Sequence, residues 1–447
     1  MQDQEPSENA PAVQEQNETA MSSQPVSVHE HAADRWTIVA AVLGVLLLAV
    51  LIVGGLYLLP DPDARDNDTP TTTTERDGRD RDRDNNRDDD DTKPSSTVRN
   101  PVTPERTMSL MTVVNAEQRQ AMCNDGTPAK YYFRPGTEAN KHKWIIYFQG
   151  GGGCGSEETC LDRAANEKPE LMSSLTYKAT QNNGGILSSD SSENPDFAGW
   201  NHVKLMYCSS DTWSGDAVQE IGGQTWYFKG KNIVEAVIED LKNTEVIKTA
   251  NLSQASELIV AGSSAGGSGA GHNMDDIAAG LPNTAIKGVI DSSWSYEIEN
   301  PYQVTENNED RVRQEINDFL NKELDDSCVA ANTDDPGKCT FLATVYPYLE
   351  TPTFIFMNQY DQLKLGNLGV NQPFDASEEA WLANEYVPNL LSTFEVIDDG
   401  LFAPRQTFHT MLTSARYFNT TIGDTTIAQA FTNWYFDRPG ETRLVEE

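Results

Sequence analysis

The stretch Leu258-Ile-Val-Ala-Gly-Ser-Ser-Ala-Gly-Gly267 decides the reading of this chain. Four apolar residues run into Gly262-Ser263-Ser264-Ala265-Gly266, a G-x-S-x-G pattern centred on Ser264. Such a pattern describes a buried strand that stops in a sharp turn, from which a helix leaves at once. The serine oxygen then stands exposed at the strand tip. Glycine at 262 and 266 removes the Cβ atoms that would collide in so tight a turn. The N–H groups at the start of the helix favour developing negative charge. Glycine and serine also build ordinary turns, so context has to decide. A strand pattern precedes the motif and a helix-compatible stretch follows it, and Ser264 is read as a nucleophile.

Outward from this point the chain alternates short apolar runs with helical stretches. Strands are expected at Trp144–Gln149, Val203–Tyr207, Leu258–Ala261, Lys287–Asp291 and Thr353–Asn358. A helix is expected over Asn232–Lys242, where Ile233, Val234, Val237, Ile238 and Leu241 recur at helical spacing. The alternation predicts an α/β fold with a mostly parallel sheet covered by helices on both faces. Residues from about Pro301 to Lys338 are polar and acidic, and read as an excursion above the sheet, closed by Cys328 and Cys339 and poor in apolar groups.

The N-terminal quarter has a different composition. Residues 1–35 are polar and acidic and are expected to be a disordered tail. Residues 36–59 carry no charge and are long enough to span a bilayer, with Trp36 and Tyr57 placed as interfacial aromatics. The run is too long, and too far from the N-terminus, for a cleaved signal peptide. Residues 60–105 hold a threonine run, alternating Arg and Asp over 79–84, and Asp88 to Asp91. This composition reads as a solvated linker, and it lacks the spaced ligands and glycine of a calcium loop. Residues 106–447 remain as the folded domain.

A net charge of -36 argues against nucleic acid as a partner. The six cysteines are even in number, lie beyond residue 120 and form no C-x-x-C pair. With a membrane segment ahead of them, they read as three disulfides made outside the cytosol rather than as zinc ligands. Flanking charge says little about orientation, since Arg35 stands on one side and Arg65 on the other. The cysteines therefore put residues 106–447 on the extracytoplasmic side of a single-pass anchor.

Serine needs a base, and histidine suits that task near neutral pH. His29 and His31 lie before the membrane segment, and His142 and His202 precede strands at the wrong end of the sheet. His272 sits two turns along the helix that Ser264 begins. His409, in Phe402-Ala-Pro-Arg-Gln-Thr-Phe-His409, remains, and it fits the order Ser, acid, His along the chain. For the acid, Asp361 follows one strand and Asp291 ends another, with Asp211 a third candidate; order along the chain favours Asp361. Any of the three can equally be a turn or capping aspartate. The oxyanion hole would draw one N–H from Ala265 and others from the glycine-rich Phe148-Gln-Gly-Gly-Gly-Gly-Cys154. No Gly-Lys-Ser/Thr follows those glycines, so they are not a phosphate loop.

Several blocks together carry a resemblance. They are Cys123-Asn-Asp-Gly-Thr-Pro-Ala-Lys-Tyr-Tyr132, residues 144–154, Tyr207-Cys-Ser-Ser-Asp-Thr-Trp-Ser-Gly215, Gly262–Gly267, Asp291-Ser-Ser-Trp294 and Phe402-Ala-Pro404 leading to His409. In this order they resemble the pectin acetylesterase family, which includes plant and microbial pectin acetylesterases and the animal Wnt deacylase Notum. The resemblance implies an α/β-hydrolase fold and ester cleavage by a triad of Ser264, Asp361 and His409. It also implies oxyanion N–H groups from Gly151, Gly152 and Ala265, and the pairs Cys123–Cys208, Cys154–Cys160 and Cys328–Cys339. Two positions depart from the family. Gly152 stands where Notum has a bulky tryptophan, and a cysteine often found between Phe-Ala-Pro and the histidine is missing.

The sequence thus predicts a membrane-anchored serine carboxylesterase acting on an acylated carbohydrate, through O-acetyl esters. The chemistry asks for no metal and no organic cofactor. A Notum-like deacylase of lipid-modified protein and a catalytically inactive binding module on a stalk are the alternatives.

Overall fold

The computed structural model describes residues 107–447 apart from 167, 300 and 303–308, with the side chains of 309–312 also left aside. The expected tail, membrane segment and linker lie outside the described residues. Among the described residues, no helix is long and apolar enough to cross a membrane.

The strands run β1 (Met108–Thr112), β2 (Lys130–Arg134), β3 (Lys143–Phe148), β4 (Thr180–Gln181), β5 (Asn201–Leu205), β6 (Ala217–Ile221) and β7 (Gln224–Phe228). They continue with β8 (Glu257–Ser263), β9 (Ala285–Asp291), β10 (Thr353–Phe356), β11 (Leu401–Ala403), β12 (Thr421–Ile422), β13 (Thr425–Thr426) and β14 (Arg443–Val445). Ten of them form one sheet in the order β14-β11-β10-β9-β8-β3-β5-β2-β1-β4. Every pairing from β5 to β14 in that order is parallel, and the edge made of β2, β1 and β4 is antiparallel. The central strand β8 lies between β3 and β9, so its tip is held on both sides.

Each of the five expected strands is present, with ends shifted by at most two residues, and the expected helix forms as Gly230–Lys242. The period of two along each strand divides its side chains between two cores. Trp144, Ile146, Phe148, Leu258, Val260, Ile290 and Ile355 face one side, with Ile233, Val237 and Leu241 of that helix and Met274 and Ile277 of helix Ala265–Ala279. Ile145, Ile259, Val289, Phe354, Phe356 and Phe402 face the other, under Ala430, Phe431 and Tyr435 of helix Ile427–Tyr435. Full burial of a side chain of this size stabilises by roughly 1.5–3 kcal/mol. The parallel strands are thus fixed by both faces at once.

Two expectations change. The outer strands β1, β2, β4, β11 and β14 have no counterpart among the expected ones, because they are short or alternate too little for periodicity to mark them. The acidic segment beyond Pro301 also has an apolar side. Helix Glu309–Leu320 turns Ile316, Phe319 and Leu320 against Ala217, Ile221, Trp226 and Phe228 of the β6–β7 hairpin. Its acidic residues had masked an amphipathic pattern.

Candidate active site

Ser264 occupies the turn between β8 and helix Ala265–Ala279 with φ 57°, and is partly exposed. The turn explains its glycines. A Cβ at Gly262 would lie 1.9 Å from the carbonyl oxygen of Gly266, and one at Gly266 would lie 2.1 Å from that of Phe148. The strand, the helix and β3 therefore touch backbone to backbone. Of ten described non-glycine residues with positive φ, Ser210, Thr212, Trp213, Ser264, Ser292 and Thr410 belong to the loops around this tip. Each left-handed residue costs roughly 1–2 kcal/mol, so strain is concentrated where the strand ends converge.

His409 Nδ1 donates to Asp361 Oδ2 at 2.7 Å. Asp361 is fully buried and caps helix Gln362–Asn367, its Oδ1 accepting from the backbone N–H groups of Leu363 and Lys364 at 3.0 and 3.2 Å. With Nδ1 donating, the lone pair belongs to Nε2, which is buried without a hydrogen-bond partner among the described residues. Lys364, from the same helix turn, donates to Trp294 O at 2.8 Å and lies over the Tyr296 ring; burial pushes its ammonium down to about 7.

The other two aspartates are occupied. Asp291 Oδ2 accepts from Ser263 Oγ at 2.7 Å and from the N–H groups of Met411 and Leu412 at 2.9 and 3.0 Å, while Oδ1 accepts from Ser292 Oγ at 2.9 Å. Asp211 accepts from Ser209 Oγ and from the backbone N–H groups of Trp213 and Gly230, and burial pushes its carboxyl up to about 6. Neither meets an imidazole. His202 lies inside β5 rather than before it, fully buried beside Arg134, and desolvation pushes it down to about 3. His272 is buried in helix Ala265–Ala279 and pushed down to about 4 for the same reason.

The glycine-rich loop lies directly against Ser264, since a Cβ at Gly150 would come within 2.8 Å of the serine Cβ. Its carbonyls are turned away and held. Arg163 Nη2 donates to Gly151 O at 2.7 Å, and Tyr207 Oη donates to Gly152 O at 2.8 Å. Arg163 Nε also reaches Ser210 Oγ, whose hydroxyl donates to Asn124 Oδ1. Cys154 N–H goes to Ser210 O. The N–H groups of Gly151 and Gly152 meet no protein acceptor among the described residues. The blocks around Asn124 and Tyr207 thus assemble into one support beneath the glycine-rich loop. Arg163, the one basic residue of helix Glu157–Asn166, carried no signal that could have marked it.

The cysteines pair as Cys123–Cys208, Cys154–Cys160 and Cys328–Cys339, and no described cysteine is free. The first ties the Asn124 block to the Tyr207 block, and the second closes the segment just after the glycine-rich loop. A cavity of about 550 Å³ opens beyond that loop, between Gly153–Gly155 and the Ile316, Phe319 and Leu320 side of helix Glu309–Leu320.

Comparison with known proteins follows the same lines. The chain is 31% identical to palmitoleoyl-protein carboxylesterase notum2 of Xenopus laevis over 70% of its own length, and spans 64% of that protein. It is 28% identical to pectin acetylesterase 4 of Arabidopsis thaliana over 72% of its length and 82% of the plant protein. The crystal structure of the Wnt deacylase Notum from Drosophila superposes with a TM-score of 0.69 at 28% identity, covering 76% of this chain and 97% of that one. The pectinacetylesterase family profile matches residues 102–446, and the chain belongs to that family.

Proposed function

We propose that this protein is a serine carboxylesterase that removes O-acetyl groups from an extracellular polysaccharide. The observation that carries the reading is the imidazole of His409, bonded to Asp361 through Nδ1 with Nε2 open, in a chain whose Ser264 stands on a strained elbow. In the proposed cycle, His409 Nε2 takes the proton of Ser264 as its Oγ attacks the ester carbonyl. Ala265, Gly151 and Gly152 offer N–H groups to the oxyanion, and the alcohol leaves with the proton that His409 held. Water then attacks the acyl-enzyme by the same route. Asp361 keeps the imidazole in the tautomer this requires.

Acetyl is favoured as the acyl group by Gly152, which leaves out the bulky apolar wall of the Notum loop. The second reading, a deacylase with room for a longer chain, is supported by the likeness to palmitoleoyl-protein carboxylesterase notum2. Chain length separates them, because each buried CH₂ is worth up to about 0.8 kcal/mol. On synthetic esters, kcat/KM is expected to fall from acetyl to octanoyl, with acetate released from acetylated glycans. A series that rises to octanoyl replaces the acetylesterase reading with the deacylase one. Ser264→Ala is expected to lower turnover of p-nitrophenyl acetate by about 10⁴ or more while the chain stays folded. Survival of a tenth of the activity removes Ser264 as nucleophile, and no turnover by the wild-type chain leaves the binding module.

We further propose an extracytoplasmic location behind a 36–59 membrane anchor, supported by the three disulfides and by the uncharged run itself. Protease added to intact cells should release an active fragment by cutting within residues 60–105. Full protection of the activity would place the domain inside.

A further inference from the structure

Among the buried polar groups that the proposed reaction does not use, Asp291 has the largest reach. Its carboxylate ends β9, next to the tip of β8, and touches the neighbourhood of both proposed reacting residues. On the serine side, its backbone carbonyl accepts from Ser264 N–H at 2.8 Å and its Oδ2 accepts from Ser263 Oγ at 2.7 Å. On the histidine side, the same Oδ2 accepts from the N–H groups of Met411 and Leu412. Its Oδ1 holds Ser292 Oγ, which itself accepts from Thr410 N–H at 3.1 Å. The three residues that follow His409 are thus all anchored to one side chain, directly or through Ser292. The Tyr147 phenol lies beside Ser263 and Thr413, in the same buried layer.

We infer that Asp291 is a positioning residue, which sets the separation of Ser264 Oγ from His409 Nε2 by tying the elbow to the loop that carries the histidine. The inference rests on the triad reading above. Its physical content is geometric. Ser264, Ser292 and Thr410 all have positive φ, a backbone state that relaxes unless its surroundings hold it. A carboxylate suits the task because it only accepts, and every group around it can donate. An amide in its place offers one accepting oxygen and turns two N–H donors either toward the N–H groups of Met411 and Leu412 or toward the Ser292 hydroxyl, which already accepts from Thr410 N–H.

The test uses the full chain and p-nitrophenyl acetate, with intact sites counted by a fluorophosphonate that labels the serine. For Asp291→Asn, kcat per labelled site is expected to fall about 10- to 100-fold with KM within about twofold, because a displacement of an ångström costs this much. The rate of serine labelling should fall in parallel. Asp291→Glu, which keeps the charge but moves the carboxylate by a methylene, should not restore kcat. Ser292→Ala removes only the strut to Thr410 and should cost about three- to tenfold. A purely structural role predicts fewer labelled sites and a lower Tm, with wild-type kcat at each surviving site; that result overturns the proposal. If Asp291→Asn does not fold, Ser292→Ala decides, and normal kcat per site there also overturns it. Activity in Ser264→Ala, run alongside, would instead remove the triad reading on which the proposal stands.

Discussion

Two flanks meet at Ser264, and they are prepared in opposite ways. On the β9–β10 flank, carboxylates collect donors: Asp291 takes two hydroxyls and two backbone N–H groups, and Asp361 takes two backbone N–H groups and an imidazole. On the β3–β5 flank, donors collect carbonyls: Arg163 and Tyr207 bind the oxygens of Gly151 and Gly152 and so leave the N–H groups of that loop unspent. The difference is one of which polar partner is satisfied in advance. One flank leaves an imidazole nitrogen open and the other leaves amide protons open. Those are the two kinds of group that acyl transfer from an ester needs on either side of the attacked carbon.

The largest effect that tests this contrast comes from Asp361→Asn. An amide can place its NH₂ against Nδ1 and impose the wrong tautomer, so kcat for p-nitrophenyl acetate should fall by about 10⁴. A smaller loss for Asp361→Asn than for Asp291→Asn would exchange the parts assigned to the two aspartates. On the opposite flank Arg163→Met frees the Gly151 carbonyl without removing any N–H. Its kcat should fall by about tenfold, less than the 10²–10³ reported by removal of a direct oxyanion donor. An unchanged kcat there would mean that Tyr207 and the Cys154–Ser210 hydrogen bond hold the loop unaided. The smallest effect belongs to neither flank. His272 is pushed from 6.5 to about 4 by burial, so its contribution to stability is complete above pH 6.5 and is lost as the pH falls toward 4. His272→Gln should flatten the decline of Tm between pH 6.5 and 4, leaving kcat at pH 7 within about twofold. His202 acts in the same direction, so the slope should shrink without vanishing. A tenfold change in kcat would show that the elbow helix transmits to the site.

The central strands were legible because burial on both faces leaves continuous apolar runs such as Trp144 to Phe148, and the elbow because close backbone contact admits only glycine at 262 and 266. The choice between Asp291 and Asp361 was not legible in the same way. Asp291 ends β9 and Asp361 follows β10, both are fully buried, and only the path of residues 402–412 decides which one meets an imidazole. Chain order pointed to Asp361 without giving a physical reason. Arg163 was invisible because its partners, a backbone carbonyl and a serine hydroxyl, carry no sequence signature. Helix Glu309–Leu320 was misread because a few apolar residues at helical spacing are diluted by acidic neighbours when composition is averaged.

Of the four consecutive glycines beside Ser264, three are hemmed in. A Cβ would meet Ser263 O at 2.4 Å from Gly150, Leu171 at 2.7 Å from Gly151 and Ser210 O at 2.9 Å from Gly153. From Gly152 it would meet, among the described residues, only Arg163 Nη1, at 3.5 Å. A side chain there would leave the amide proton of residue 152 in place, and φ +65° is a state that Asn and Asp tolerate best among non-glycine residues. Gly152 is therefore the position of the four at which a lineage, or a laboratory library, can add a side chain without rebuilding the turn. On the proposed reading, that gives diversity in acyl preference an entry point one residue wide.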